Sequence, residues 1–392
     1  MGKKLPAALL AALLSLSLLS GCWNNIDINR LSFVMGIAVD RDDAENQYTV
    51  TAQIARPSAL SSLGDSGGGE DAYTNLTQTA TSVELAMNQI SLRTNRRIYA
   101  GHNQIIVISM DAAKQDITPV LDYFVRRADG RFTASLYISE GSANELMEIK
   151  GGLEKLPAIY LSQLTKSRIG PGETAQNSII SFLASFLSKT SAPVISILKI
   201  VDDENGEQRA EPSGMAVFKG AQVCTALDPK QAAAVIAILN KAQGEIWQID
   251  VFGGYMDLEV LQSRVDTVPV FSGDRLEKIR VDLDFGCSII NMAGNADILS
   301  PDVRDQVAEV VKADILDSLC STFEYTQKYS ADVFGFGELL HRYHPRKTKD
   351  LIENWETAYP ELAVEFNVKV EILSTGSIIQ PFEPGAGNQN IN

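Results

Sequence analysis

Two stretches of the chain alternate strictly between apolar and polar residues. Ile279, Val281, Leu283, Phe285 and Cys287 alternate with Arg280, Asp282, Asp284 and Gly286, the period-two signature of a half-buried strand. Val364, Phe366, Val368, Val370 and Ile372 do the same against Glu365, Asn367, Lys369 and Glu371. Between them, Val303, Val307, Val310, Val311, Ile315, Leu319 and Phe323 form the apolar stripe of a long helix. Ser300-Pro301-Asp302 reads as its start: a hydroxyl cap, proline at the first position and an acid in the first turn. Each element has one apolar face, so the helix should pack on a sheet that contains both strands.

The first half alternates shorter strands and helices. Leu31–Val39 and Tyr48–Ala55 read as strands joined by the polar turn Arg41–Asn46, and the Ser/Gly-rich stretch Pro57–Gly69 reads as a flexible loop. Val83, Ala86, Met87 and Ile90 fall at helical spacing behind Ser82 as N-cap. Gln104–Ser109 is a short apolar strand, Asp111–Arg127 a helix, and Thr133–Ile138 a strand. Two or three helices follow between Ala143 and Lys189, broken by Gly170-Pro171-Gly172, and Pro193–Val201 is again a strand. The polar run Asp202–Pro212 reads as a hairpin tip or a linker. Paired strands turn at Lys219-Gly220, and Pro229–Lys241 is a helix apolar on nearly every side. The pattern indicates an α+β protein with mixed or antiparallel sheets and packed helices. It divides into domains at 22–205, 206–265 and 266–379, with a disordered tail over 380–392.

The amino terminus changes the picture. Lys3 and Lys4 precede the apolar run Leu5–Ser20, and then comes Leu19-Ser20-Gly21-Cys22. Positive charge, an apolar segment and small residues at the cut make residues 1–21 a signal peptide, with cleavage after Gly21. The run is shorter than the about 20 apolar residues of a spanning helix. Leu-Ser-Gly-Cys resembles the lipobox of bacterial lipoproteins, which implies a covalent diacylglycerol lipid on Cys22. Two acyl chains, at about 0.8 kcal/mol per buried methylene, anchor a protein stably. The other reading is an ordinary secretory signal with a chance cysteine. Composition fits a large folded ectodomain, with 45% hydrophobic and 21% charged residues in 392. A net charge of −15 argues against nucleic acid as a partner, which needs a basic surface.

Little here points to catalysis. His341 and His344 lie one helical turn apart with no third ligand nearby, so no metal site is expected. Their other reading is polar residues at a helix end. No Gly-x-Ser-x-Gly elbow is read between a strand and a helix: Gly64-Asp65-Ser66-Gly67-Gly68 has that spacing but, like Gly67-Gly68-Gly69, lies in the Ser/Gly-rich loop with acids. Cys224, Cys287 and Cys320 show no metal spacing. They read as small buried hydrophobes, or as one disulfide and one free thiol. Asp332-Val333-Phe334-Gly335-Phe336-Gly337 stands apart. It is either a tight turn plugged into the core or an aromatic knob for a partner.

Several of these segments together resemble the Ger(x)C family of spore germination lipoproteins. The resemblance runs through Cys22-Trp23, Gly36–Asp40, Ala100–Val107, Leu121–Arg127 and Ser213–Lys219. It continues through Asp332–Gly337, His341-Arg342, Asn354-Trp355 and Val368–Val370 ahead of Gly376, in the family's order. Asn24-Asn25 departs from it, since a charged residue is more usual there. The resemblance implies a non-enzymatic C subunit of a nutrient germinant receptor, lipid-anchored on the outer face of the bacterial cytoplasmic membrane that becomes the spore inner membrane. It implies integral-membrane A and B subunits as partners, a nutrient pocket in one of those partners, and no cofactor beyond the Cys22 lipid. Phe334, Gly335, Phe336, Gly337 and Trp355 are its motif residues and the candidate partner interface. The alternative is a solute-binding lipoprotein of a transporter, which would need two similar lobes of repeated parallel β-α-β units, a pattern the sequence does not display.

Overall fold

The computed structural model describes Asp27 and residues 30–42, 44–56, 71–127, 129–150, 154–164, 178–239, 242–293, 297–298 and 300–374. Gly21, Cys22, the Pro57–Gly69 loop, the Gly170-Pro171-Gly172 turn and the 380–392 tail lie outside the described residues.

The first sheet has nine strands. β1 (Leu31–Asp42), β2 (Gln47–Ala55) and β3 (Tyr73–Ala80) form an antiparallel meander. On its other side β1 runs parallel to β4 (Arg97–Tyr99) and to β5 (Ile105–Ser109). β6 (Ser135–Ser139) and β7 (Val194–Asp202) continue the parallel run. β8 (Gln208–Lys219) and β9 (Gln222–Leu227) close the sheet antiparallel. Every residue of β5 and β6 is buried, because helices cover both faces.

On one face lie α1 (Val83–Leu92), α2 (Met110–Lys114) and α3 (Thr118–Arg126). Their Ile90, Ala113 and Leu121 share a core with Ile106, Ile108, Leu136 and Ile138. The opposite face carries α4 (Ala143–Leu146) and α5 (Pro157–Leu164), whose Leu146 and Leu161 pack with Ile105, Val107 and Tyr137. α6 (Ile179–Phe186) returns to the first face through Ile179 and Phe182. The Ser82 hydroxyl caps α1, accepting from Leu85 N–H at 3.1 Å.

One helix was expected over Asp111–Arg127, and there are two. Gln115 is extended, Asp116 Oδ1 accepts from Thr118 N–H at 2.8 Å, and Pro119 sits in the first turn of α3. Proline has no N–H to give to an upstream carbonyl, so it starts a helix here rather than continuing one. The parallel run β1-β5-β6-β7 leaves no alternation in the sequence. Strands buried on both faces read as short continuous apolar runs.

The second sheet has the order β10-β11-β12-β13: Ile246–Val251, Gly254–Ser272, Arg275–Ala293 and Val364–Ser374. β11 and β12 form a long antiparallel hairpin, and β13 lies parallel to β12, with Ile279 opposite Val364 and Phe285 opposite Val370. α7 (Pro229–Ile238) and α8 (Pro301–Lys328) pack on this sheet. Val307, Val311, Leu319 and Phe323 of α8 share its core with Ile279, Val281, Leu283 and Phe285. Val310, expected on the buried stripe, is 39% exposed. Ser300 occupies the cap position of α8, but its hydroxyl makes no capping bond.

Two expected boundaries do not separate cores. Position 205/206 falls in the turn between β7 and β8, whose Asp202 and Gln208 pair. Position 265/266 falls inside β11. One hydrophobic cluster joins Met215 and Val217 of β8, the buried residues of α7 and the whole apolar face of the second sheet. Among the described residues no helix is long and apolar enough to cross a membrane.

Candidate functional site

The motif residues meet where the two sheets join. α9 (Phe336–Tyr343), α10 (Lys349–Glu353) and α11 (Trp355–Ala358) follow α8. Asp332 is 2% exposed and caps α9. Its Oδ1 accepts from Gly335 and Phe336 N–H at 2.9 and 3.2 Å, and its Oδ2 from Gly337 N–H at 2.7 Å. Those donors favour the carboxylate, but burial outweighs them and pushes its pKa up to about 6. Gly335 takes φ +76°, the left-handed region that glycine enters without penalty.

The two phenylalanines are core. Phe334 is 5% and Phe336 1% exposed, and their rings stack at 5.4 Å. Phe323 of α8 meets both at 6.1 Å, Tyr359 at 5.8 Å and Phe366 of β13 at 6.0 Å. Trp355 is 3% exposed beside Tyr359, whose hydroxyl hydrogen-bonds Thr326 Oγ1 at 2.8 Å. A Cβ on Gly337 would collide with Thr190 Cβ and stand 2.7 Å from Trp355 Cε2. The proposed partner interface at Phe334, Gly335, Phe336, Gly337 and Trp355 is therefore corrected. The rings fill the protein's own interior and offer no aromatic face to a second protein.

This turn also holds the first sheet. Ala192 N–H, two residues ahead of β7, donates to Asp332 O at 2.9 Å. Ser188 Oγ lies 3.4 Å from Glu338 Oε2, and Lys219 of β8 pairs with Glu356. The sequence marks the Phe-Gly alternation but not its neighbour, because Thr190 and Ala192 lie about 140 residues away.

The other candidate chemistry is dispersed. His341 is exposed, and His344 packs on Phe271 at 5.1 Å. Among the described residues no group of three or more His, Cys, Asp or Glu side chains could share a metal. Cys224, Cys287 and Cys320 are free thiols. Cys287 alone is fully buried, with its thiol pushed up to about 12 by burial, whereas Cys320 is exposed rather than the buried hydrophobe expected.

A cavity of about 410 Å³ opens between α7, β10 and α8, and Glu245 lines it. Glu245 is 3% exposed; Oε2 accepts from Trp247 Nε1 at 3.1 Å, while Oε1 is buried without a hydrogen-bond partner. Burial pushes its pKa up to about 7. A lone acid in Gly244-Glu245-Ile246 carries no motif, so only the folded arrangement singles it out.

Comparison with known proteins places both halves. Residues 24–200 match the family described as spore germination protein N-terminal domain, and residues 213–376 match spore germination B3/GerAC like, C-terminal. The chain belongs to the Ger(x)C family. Spore germination protein KC of Bacillus subtilis (strain 168) is 24% identical to this Ger(x)C chain, covering 93% of it and 94% of the relative. Spore germination protein B3 of the same organism is 20% identical over 92% and 95%. The crystal structure of the GerBC protein superimposes with a TM-score of 0.54 at 16% identity, over 88% of this chain and all of the other, and so shares the fold. The two family matches meet in the β7–β8 hairpin, within one continuous sheet.

Proposed function

We propose that this Ger(x)C protein is the lipid-anchored C subunit of a spore nutrient germinant receptor, a non-catalytic assembly and signalling component. It is held by a diacylglyceryl group on Cys22 on the outer face of the spore inner membrane, beside integral-membrane A and B subunits. The observation that carries this reading is the order of segments: a lipobox at 19–22, followed at residue 24 by two consecutive spore germination matches that run to 376. The buried Phe334–Gly337 turn supports a scaffolding role, since the most distinctive motif of the chain welds its two sheets together.

The test is genetic and chemical together. Spores lacking the protein should lose germination with one class of nutrient. The wild-type chain should restore it, carrying a clickable palmitate label, and Cys22→Ala should carry no label and restore little. Equal label on both chains, or full germination without the protein, would sink the proposal.

A further inference from the structure

Charge is spread unevenly along this acidic chain. It carries 49 Asp and Glu in 392 residues, yet none lies between Glu84 and Asp111. That run holds Arg93, Arg96 and Arg97 in the turn from α1 to β4, and all three are exposed. Among the described residues no ion pair involves them. Arg126 and Arg127, at the end of α3, are each held by an acid instead: Asp122 at 2.6 Å and Asp129 at 3.0 Å. A helix C-terminus favours a cation, which accounts for Arg93 beside the last turn of α1 but not for two more beyond it. Thr94 braces the turn, its hydroxyl 3.0 Å from Ser91 O and 2.6 Å from Arg96 O. Leu92, at the same corner, is 81% exposed, more than any other large hydrophobic side chain among the described residues.

This corner lies where β1 begins. Arg97 pairs with Leu31, the first residue of β1, and exposed Arg30 precedes it. Cys22 lies nine residues before Leu31, and nine extended residues span at most about 30 Å. We propose that Arg30, Arg93, Arg96 and Arg97, with Leu92 among them, dock on an anionic phospholipid surface. The arginines meet headgroup phosphates, and Leu92 enters the boundary between headgroups and acyl chains. An apolar side chain standing almost free among cations suits a lipid boundary better than an acidic protein face. The corner also lies within the reach of the segment that would carry the lipid. A diacyl anchor holds the chain but leaves its body free to swivel, and a second contact fixes its orientation. The inference rests on the Cys22 anchor for its placement only. The contact is read on a chain without the lipid, so either can fail while the other stands.

Vesicle co-sedimentation tests it, on a chain that begins at Trp23. That chain keeps every described residue and lacks both the apolar run Leu5–Ser20 and Cys22. The vesicles are phosphatidylcholine alone, and phosphatidylcholine mixed with an equal part of phosphatidylglycerol. The chain should bind the anionic vesicles at least about tenfold more tightly than the neutral ones, and less tightly as salt is added. Arg93→Gln, Arg96→Gln and Arg97→Gln together should weaken that binding at least about thirtyfold. Leu92→Ser should weaken it about threefold or more. Equal binding to both vesicle types, or none to the anionic ones, would overturn the proposal. Undiminished binding by the folded triple variant or by Leu92→Ser would do the same. If thermal unfolding shows that the triple variant does not fold, Arg96→Gln alone should weaken binding about fivefold, and no change there would overturn the proposal equally.

Discussion

Two glycines two residues apart, Gly335 and Gly337, separate conformation from space. Gly335 needs its left-handed φ but has nothing within 4 Å of a Cβ. Gly337 has ordinary helical geometry but no room, with Thr190 and Trp355 against it. Gly335→Ala should therefore cost about 1 kcal/mol in strain, and Gly337→Ala should reach the upper end of the about 1–3 kcal/mol typical of overpacking. Denaturant unfolding of both variants checks the order, and a larger loss at 335 would contradict it. Glu245 gives a pH signature. Its folded pKa, about 7, lies above its ordinary 4.5, so the folded state holds the proton more tightly. The penalty is absent below the ordinary value and complete above the folded one. Wild type should therefore lose up to about 3 kcal/mol of stability between pH 5 and pH 8 that Glu245→Gln does not lose. Parallel pH profiles of unfolding that coincide for the two chains would refute this. The comparison between variants also removes the contribution of Asp332, which titrates near 6.

At the scale of elements, legibility followed the number of faces an element buries. β12, β13 and α8 each bury one face, so alternation or helical spacing revealed them and even their mutual packing. β5 and β6 bury both, so their parallel pairing left no periodic trace. The α2–α3 break is written in Asp116 and Pro119, although the apolar spacing on either side is helical. The buried stripe of α8 excludes Val310. Leu319, fully buried in the sheet core, and Val310, on the solvent side, should therefore differ sharply. Leu319→Ala should cost about 2–5 kcal/mol, and Val310→Ala about 0.5 kcal/mol or less. Thermal and urea unfolding of the pair would expose a misplaced helix face if the two losses were similar. The candidate site was half legible: the Phe-Gly alternation marks a turn plugged with aromatic rings. Its Asp332 cap and its bond to Ala192 depend on chain that folding alone brings near.

At the scale of the molecule, the two family matches, 24–200 and 213–376, share more than a linker. β8 and β9 belong to the first sheet by hydrogen bonding and to the second core by burial, since Met215, Val217 and Leu227 pack with the α7–α8 cluster. Asp332 adds a second tie to the segment leading into β7. The two sheets are thus joined by shared core residues and by a backbone hydrogen bond as well as by the chain itself. The receptor-subunit account stands or falls most directly on what the protein holds in the spore. A tagged chain should be isolated from detergent-solubilised spore inner membranes, and its stoichiometric companions identified by mass spectrometry. The account predicts two polytopic membrane proteins of germination type, both lost from Cys22→Ala spores. A permease with an ATPase, or no membrane protein at all, would contradict it.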